Sequence, residues 1–257
     1  MIIGDNMQID FKDRVILVTG STSGIGRQIA KQLLEANANV IITYGHNEKL
    51  AIETMEELSN YKDNILLIKC DLSKENEVDE MFNQISNKYN KLDGLVNCAA
   101  YDKVLSIENL TIDEYRHELD VNVVARWQCI KNAIPLMKKS TMPRVVNIAS
   151  RLGTRPIEDS VAYCTCEAAT IMLTKCCALE LSKYNIRVNT VSPSLTLTPL
   201  SKQSYSEEEI QATAEKNPSK RLGKTEDTAN LVLFLLSDKA DYINGENINV
   251  NGGILLK

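Results

Sequence analysis

Short apolar runs recur along the chain, and longer segments of mixed polarity separate them. The runs are residues 14–19 (RVILVT), 39–43 (NVIIT), 64–70 (NILLIKC), 94–97 (GLVN), 144–149 (RVVNIA), 187–191 (RVNTV) and 247–250 (NINV). Continuous apolar runs of this length are typical of strands that are buried on both faces, as in a parallel sheet. The pattern therefore predicts about seven buried strands.

The segments between these runs are long enough for helices. Residues 27–36 are amphipathic, residues 206–215 have a helix-like pattern, and the capping box from Thr111 to Glu114 predicts a helix start. Regular alternation of strand and helix predicts an α/β fold, a doubly wound Rossmann-type parallel sheet with helices on both faces. Because no linker, repeat or low-complexity tract interrupts the pattern, we predict one domain over residues 1–257.

Composition narrows the classes of partner. The chain has 257 residues, of which 44% are apolar, and a net charge of -5. This acidic balance argues against a nucleic-acid surface or a polybasic membrane anchor and favours small molecules or other proteins as partners. The first residues lack a signal-peptide pattern, and no apolar run has membrane-spanning length, so we predict a cytoplasmic protein.

Cysteine and histidine positions give no metal-site pattern. The seven cysteines are predicted to be reduced packing residues, because Cys164-x-Cys166 and the adjacent Cys176 and Cys177 lack the spacing of zinc ligands. The two histidines lie outside any ligand motif. We predict no bound metal.

A glycine-rich turn links the first predicted strand to the first predicted helix. Residues 19–26 read TGSTSGIG, with Gly20, Gly24 and Gly26 in a G-x3-G-x-G spacing. Glycines at such a turn let the backbone approach a pyrophosphate, which then meets the free N–H groups of the helix. This form of the turn resembles that of the short-chain dehydrogenase/reductase family.

The resemblance extends over nearly the whole chain. Asp71 follows the third strand, where the family uses an acid to bind the adenine amino group. Residues 97–100 (NCAA) stand where the family usually has Asn-Asn-Ala-Gly. Asn122 matches a helix asparagine that supports a water-linked proton relay. Pro193 and Thr198 match a Pro-Gly-x3-Thr segment that contacts the nicotinamide, although its glycine is replaced by serine.

Ser150 and Tyr163, thirteen residues apart, match the family's catalytic hydroxyl pair. The resemblance implies that Ser150 holds the substrate oxygen and that Tyr163 donates a proton to it while hydride arrives from a nicotinamide cofactor. The implied activity is that of an NAD(P)-dependent oxidoreductase that reduces a carbonyl to an alcohol.

Glu167 occupies the position, four residues after Tyr163, where the family has a lysine that binds the nicotinamide ribose. At an effective dielectric of about 20, a unit charge at ~5 Å is worth about 3 kcal/mol, on the order of two pKa units. We therefore expect a high Tyr163 pKa and a reductase that is slow and favours reduction over oxidation. The carboxylate remains able to accept ribose hydroxyls.

Two alternatives stay open at this point. Changes near the nicotinamide end, including Cys98, Ala100 and Ser194, contrast with an intact glycine turn. This asymmetry also fits a protein that binds the cofactor without hydride transfer, or one that catalyses a non-redox dehydration or isomerisation in the same pocket.

Cofactor choice rests on the end of the second strand. Tyr44, Gly45 and His46 replace the acid that would favour NAD, while Ser23 and Gly45 supply no basic residue for a 2'-phosphate. This pattern favours NADP slightly over NAD. The predicted cofactor-binding residues are Gly20, Ser21, Ser23, Gly24, Ile25, Gly26, Tyr44, Asp71, Leu72, Asn97, Ala99, Tyr163, Glu167, Pro193 and Thr198.

The substrate side is less determined. Residues 195–221 match the family's mobile substrate loop, and the predicted pocket residues are Tyr101, Arg151, Leu152 and Tyr205. A polar, medium-sized carbonyl compound and an acyl thioester both fit. Residues 160–183 form a predicted helix with small or apolar residues around most of its circumference, which favours a homodimer or homotetramer.

Overall fold

A computed structural model describes residues 9–198, 201 and 205–256. These residues form one seven-stranded sheet in the order β3-β2-β1-β4-β5-β6-β7, with every neighbouring pair parallel. The strands are β1 Val15–Val18, β2 Asn39–Tyr44, β3 Ile65–Lys69, β4 Gly94–Asn97, β5 Arg144–Ile148, β6 Arg187–Pro193 and β7 Asn247–Val250. The predicted doubly wound parallel sheet is confirmed, because each apolar run is a strand.

Helices cover both faces of this sheet. They are α1 Gly24–Glu35, α2 Glu48–Glu57, α3 Glu75–Lys88, α4 Ile112–Leu119, α5 Ala125–Met137, α6 Val161–Leu181, α7 Glu207–Lys216 and α8 Thr225–Leu236. Successive strand residues point to opposite faces, so Ile16 and Val18 pack with α1 and α8 while Val15 and Leu17 pack with α3 and α5. Full burial of each such side chain stabilises the fold by about 1.5–3 kcal/mol.

The predicted capping box at α4 is only half formed. Thr111 Oγ1 accepts a hydrogen bond from the Glu114 backbone N–H at 3.2 Å. The Glu114 carboxylate instead accepts from Tyr101 Oη at 2.6 Å and Lys103 Nζ at 2.9 Å. The prediction of a reciprocal box was wrong because tertiary partners compete for the Glu114 side chain.

The sheet order places several strand ends together. Strand order reverses between β1 and β4, and at such a switch point the loops after neighbouring strands diverge and open a crevice. The segments after β1, β4 and β5 and the end of β6 lie at this edge. Among the described residues, no helix has the length and apolar character that a membrane span requires.

Candidate active site

A cavity of about 440 Å³ lies at the carboxyl edge of the sheet. Its wall combines the glycine turn, the segments after β4 and β5, the end of β6 and the start of α6. The predicted site residues on this wall are Gly20, Ser23, Gly24, Ile25, Gly26, Ala99, Ser150, Arg151, Leu152, Tyr163, Pro193, Thr198 and Tyr205. The fold therefore gathers residues 20 to 205 around one space.

The glycine turn needs its glycines for two different reasons. Gly20 has φ +63°, and a Cβ there would stand 2.8 Å from Ala99 Cα. A Cβ on Gly26 would collide with the Gly20 carbonyl oxygen. Ser23 precedes α1 without a side-chain cap, which leaves the first N–H groups of the helix available to a ligand in the cavity.

Ser21 supports this turn from inside the protein. Its Oγ donates to the Val18 carbonyl at 2.6 Å and accepts from the Thr43 backbone N–H at 3.0 Å. Thr43 Oγ1 also accepts from the Gly20 N–H at 3.2 Å. The structure thus places the Ser21 side chain behind the turn and not on the cavity wall.

Tyr44, Asp71 and Leu72 lie at the adjacent ends of β2 and β3, outside the residues that line the cavity. Asp71 Oδ1 accepts from the backbone N–H and the hydroxyl of Ser73, at 3.0 and 2.7 Å. Burial acts to raise the pKa of Asp71, but these hydrogen bonds and the nearby His46 outweigh it and lower that pKa. A carboxylate held in this way stays ionised.

Ser150 and Tyr163 face the same cavity. Ser150 Oγ accepts from the Leu152 N–H at 3.1 Å and donates to none of the described residues, so its proton is available to a substrate oxygen. Burial and then Glu167 raise the pKa of Tyr163 well above that of a free tyrosine, while Arg126 opposes them. The phenol is therefore protonated at neutral pH.

Glu167 does not line the cavity; it is completely buried and paired with Arg126 of α5. Arg126 Nη1 lies 3.2 Å from each carboxylate oxygen and 2.8 Å from Thr170 Oγ1. A Cβ on Gly153 would approach the Glu167 backbone to 2.7 Å, so this glycine permits close packing of the segment after β5 on α6. No sequence motif pointed to Arg126.

Asn122 lies in a widened helical turn between α4 and α5, formed by Asp120–Val124. Its Oδ1 accepts from the Tyr101 N–H at 2.9 Å and its Nδ2 donates to the Tyr101 carbonyl at 2.6 Å. The Asn122 carbonyl accepts from Thr170 Oγ1 at 3.2 Å. These bonds fix the segment after β4 and connect Asn122, through Thr170, to Arg126.

Asn97 and Tyr101 also lie behind the cavity wall. Asn97 Nδ2 donates to Asn147 Oδ1 at 2.8 Å, which links β4 to β5 in the core. The Tyr101 hydroxyl donates to Glu114, and its ring meets His117 edge to face at 4.7 Å between centroids. The structure thus separates Tyr101 from Arg151, Leu152 and Tyr205, which do line the cavity.

Sequence reasoning missed two acidic residues, Asp102 and Glu118, because no motif marks them. Asp102 lines the cavity, and its Oδ1 is buried without a partner among the described residues. Glu118 of α4 is completely buried, and burial raises its pKa to about 7. Burial likewise raises the pKa of Asp102. This end of the cavity therefore favours protonated groups.

Comparison with known proteins identifies the family. Residues 20–255 match the family model described as "Enoyl-(Acyl carrier protein) reductase". The chain is 36% identical to the 3-oxoacyl-[acyl-carrier-protein] reductase FabG of Aquifex aeolicus, over 96% of this chain and 100% of the relative. It is 32% identical to a short-chain type dehydrogenase/reductase of Picea abies, over 93% of this chain and 92% of that protein.

Solved structures agree with this assignment. A short-chain dehydrogenase/reductase from Brucella melitensis has a TM-score of 0.90 at 27% identity, covering 96% of this chain and 99% of that one. The Pseudomonas aeruginosa RhlG/NADP active-site complex has a TM-score of 0.89 at 29% identity, covering 96% and 98%. This chain therefore belongs to the short-chain dehydrogenase/reductase family of NAD(P)-dependent oxidoreductases and is similar to its 3-oxoacyl-carrier-protein reductases.

Proposed function

We propose that this protein reduces a carbonyl group to an alcohol, with Tyr163 as the proton donor. The observation that carries the proposal is the shared cavity wall: the glycine turn, Ser150 and Tyr163 surround one space. The raised Tyr163 pKa supports the same direction, because a protonated phenol is the form that reduction requires.

The glycine turn fits a dinucleotide. Gly24, Ile25 and Gly26 line the cavity at the uncapped start of α1, where the first N–H groups of a helix have no intrahelical partner and favour a pyrophosphate. When bound, the nicotinamide supplies the hydride. Ala99, Pro193 and Thr198 would contact the cofactor directly from the wall. Ser21 and Asn97 would support the site from behind it, and Tyr44, Asp71 and Leu72 would form its adenine edge.

The proton step follows from the chain's own groups. The Ser150 hydroxyl donates to the substrate oxygen, and Tyr163 Oη transfers its proton to that oxygen as the carbon accepts hydride. Alcohol oxidation needs Tyr163 as a phenolate, which burial and Glu167 disfavour. We therefore propose that reduction is faster than oxidation near neutral pH, and that Glu167→Gln, which removes the carboxylate charge, would accelerate oxidation.

Substrate selection is assigned to Arg151, Leu152 and Tyr205 together with the segment 195–221. Thr198 lies against the glycine turn, since a Cβ on Gly24 would stand 3.1 Å from Thr198 Cγ2. Thr198 and Tyr205, both on the cavity wall, therefore support a role for this segment at the cofactor end and at the substrate end. Because similar proteins are named 3-oxoacyl-[acyl-carrier-protein] reductases, a 3-oxoacyl thioester is the first substrate to test.

NADP is the proposed cofactor. Residues 44–47 (YGHN) contain no acid to hold a ribose 2'-hydroxyl. The RhlG structure, a complex with NADP, is similar to this chain. Titration of the protein with NADPH and NADH separately tests this preference; tighter binding of NADH would contradict it.

A homodimer or homotetramer is also proposed. Val124, Trp127, Met172 and Leu179 are exposed apolar residues of α5, α6 and the turn before α5. Apolar side chains on neighbouring helices favour burial against a second copy. Size-exclusion chromatography with light scattering measures the assembly, and a monomer at micromolar concentration would contradict the proposal.

The function is tested by combining a turnover assay with a binding titration. NADPH oxidation is followed with 3-oxoacyl thioesters and a panel of polar ketones, for wild type and Tyr163→Phe. We expect turnover in wild type alone and cofactor binding in both. Binding without turnover would instead favour a cofactor-binding protein, and product formation without NADPH oxidation would favour a non-redox reaction.

A further inference from the structure

A buried ion pair stands directly behind the tyrosine end of the cavity. Arg126 is 3% exposed and Glu167 is 0% exposed. One guanidinium nitrogen contacts both carboxylate oxygens and Thr170, and the other lies 3.4 Å from the Ala99 carbonyl oxygen. Because Ala99 lies on the cavity wall, Arg126 bridges the wall and Glu167.

A buried ion pair of this kind adds little net stability to the fold compared with apolar side chains. Removing two charges from water costs about as much as their attraction returns, and apolar side chains of similar volume often serve as well. Arg126 also has a buried Nε without a partner among the described residues, which adds to the cost. Because burying the Arg126–Glu167 pair is costly and the pair lies beside Tyr163, it points to an electrostatic role at the proton donor.

The groups that act on the Tyr163 phenol come from several elements. Glu167 lies one turn further along α6, Asp102 follows β4, and Tyr205 belongs to the segment after β6. Each of these carries negative charge when it is ionised, so each opposes formation of a phenolate. The guanidinium of Arg126 is positively charged and favours the phenolate form of Tyr163. The guanidinium stays charged at any pH that the fold tolerates.

We propose that Arg126 is a positioning residue for the proton-donor site: it neutralises Glu167, holds that carboxylate away from the cavity, and keeps a positive charge behind the wall at Ala99. Its charge stabilises the negative oxygen that remains on Tyr163 when the proton has moved to the substrate oxygen. Solvent then returns a proton to Tyr163. Thr170 extends the same unit to the Asn122 carbonyl.

This inference deepens the proposed function and rests on it for its catalytic meaning, but its electrostatic content is measurable without any substrate. Tyr163 is titrated by fluorine NMR in cofactor-free protein carrying a fluorinated tyrosine, whose more acidic phenol brings the titration toward the pH range that the fold tolerates, and the Tyr163→Phe spectrum assigns its signal. The key comparison is between Glu167→Gln and the double variant Arg126→Gln/Glu167→Gln. These two proteins differ only at residue 126, where a guanidinium cation is replaced by a shorter, neutral amide.

In Glu167→Gln the Arg126 charge is no longer offset, so the Tyr163 midpoint should fall below that of wild type by on the order of one pH unit or more. In the double variant, the titration midpoint of Tyr163 should return most of the way to the wild-type value. Arg126→Lys in the Glu167→Gln background should largely keep it, because the cation is retained.

Lys131→Gln in the Glu167→Gln background is the matched control, since it removes a cation from the exposed side of the same helix. That control should leave the midpoint unchanged. Equal midpoints in Glu167→Gln and the double variant, or a Glu167→Gln midpoint no lower than that of wild type, would overturn the proposal. A midpoint that depends on Arg126 in a protein without reductase turnover would uphold the electrostatic role and contradict the proposed function alone.

Discussion

The two ends of the cavity are built in different ways. At the glycine end, a short stretch of backbone shapes the site, and the neighbouring carboxylate of Asp71 is hydrogen-bonded and has a lowered pKa. At the tyrosine end, burial raises the pKa of Asp102, Glu118 and Glu167. One end keeps an ionised carboxylate beside a turn of closely packed backbone, and the other favours protonated groups.

This contrast shows why a changed residue has different consequences at the two ends. A turn made of backbone depends on local conformation, so each glycine is needed where it stands. The tyrosine end depends on the sum of charges from several elements, so a carboxylate at residue 167 is compensated by a guanidinium from another helix.

The largest effect is expected for Tyr163→Phe. Removal of the phenol proton should lower carbonyl reduction about 10²- to 10⁴-fold, because a positioned general acid contributes about that much. Cofactor affinity should change little, since the glycine end is untouched. Steady-state kinetics and a fluorescence titration measure the two quantities. Tyr242→Phe, at an exposed tyrosine, is the control, and equal turnover in both variants would refute the assignment.

Breaking the buried pair should cost more stability than removing both of its charges. Arg126→Met leaves Glu167 buried without its partner and should lower the free energy of unfolding by about 3–5 kcal/mol. Arg126→Met/Glu167→Leu, which removes both charges, should recover most of that loss.

Urea unfolding measures these differences. Arg221→Met is the matched surface control: it breaks the pair between Arg221 and Asp227, whose side chains are 51% and 31% exposed, and should cost at most about 1 kcal/mol. A double variant as unstable as Arg126→Met would show that packing, and not charge, explains the loss.

Gly20→Ala tests the glycine end. The added Cβ meets Ala99 at 2.8 Å, and the positive φ disfavours alanine, so we expect a loss of about 1–3 kcal/mol in stability. Cofactor affinity should fall about tenfold or more, because backbone displacement at the turn moves the N–H groups.

Gly45→Ala is the matched control for Gly20→Ala. Its Cβ would make only an ordinary contact, 3.8 Å from the Cys70 carbonyl oxygen. Thermal unfolding should therefore separate the two variants, and the NADPH titration compares Gly20→Ala with wild type. Similar losses in both would mean that the turn is tolerant and that its glycines are not required.

The smallest effect concerns pH. Burial raises the pKa of Glu118 to about 7, above the unfolded value of about 4.3, so the folded state binds more protons between these values. The Glu118 contribution to stability is therefore fully present below about pH 4.3 and is lost as the pH rises through about 7.

Glu118→Gln removes that dependence. The wild-type free energy of unfolding minus that of Glu118→Gln should decrease between about pH 5 and about pH 8. Urea unfolding across this range measures it, with Glu208→Gln as the variant that removes an exposed carboxyl. A difference that stays constant or increases with pH would contradict the prediction.

The sequence alone determined the sheet and the glycine end. Seven apolar runs specify seven strands because burial on both faces leaves a continuous hydrophobic pattern that is readable without a structure. The turn at Gly20, Gly24 and Gly26 is similarly local, since its conformation depends on backbone freedom and close packing within a few residues. Ser150 and Tyr163 could be identified from the sequence because their spacing matches a family pattern.

Only the tertiary structure decided the environment of Tyr163. Sequence reasoning took the charge at Glu167 as unopposed, because Arg126 lies 41 residues earlier in an otherwise ordinary helix. For a related reason, the Glu114 carboxylate accepts hydrogen bonds from Tyr101 and Lys103 and does not complete the capping box of α4. Electrostatic interactions depend on distance and burial, and folding sets both by bringing together residues whose order along the chain does not reveal their contact.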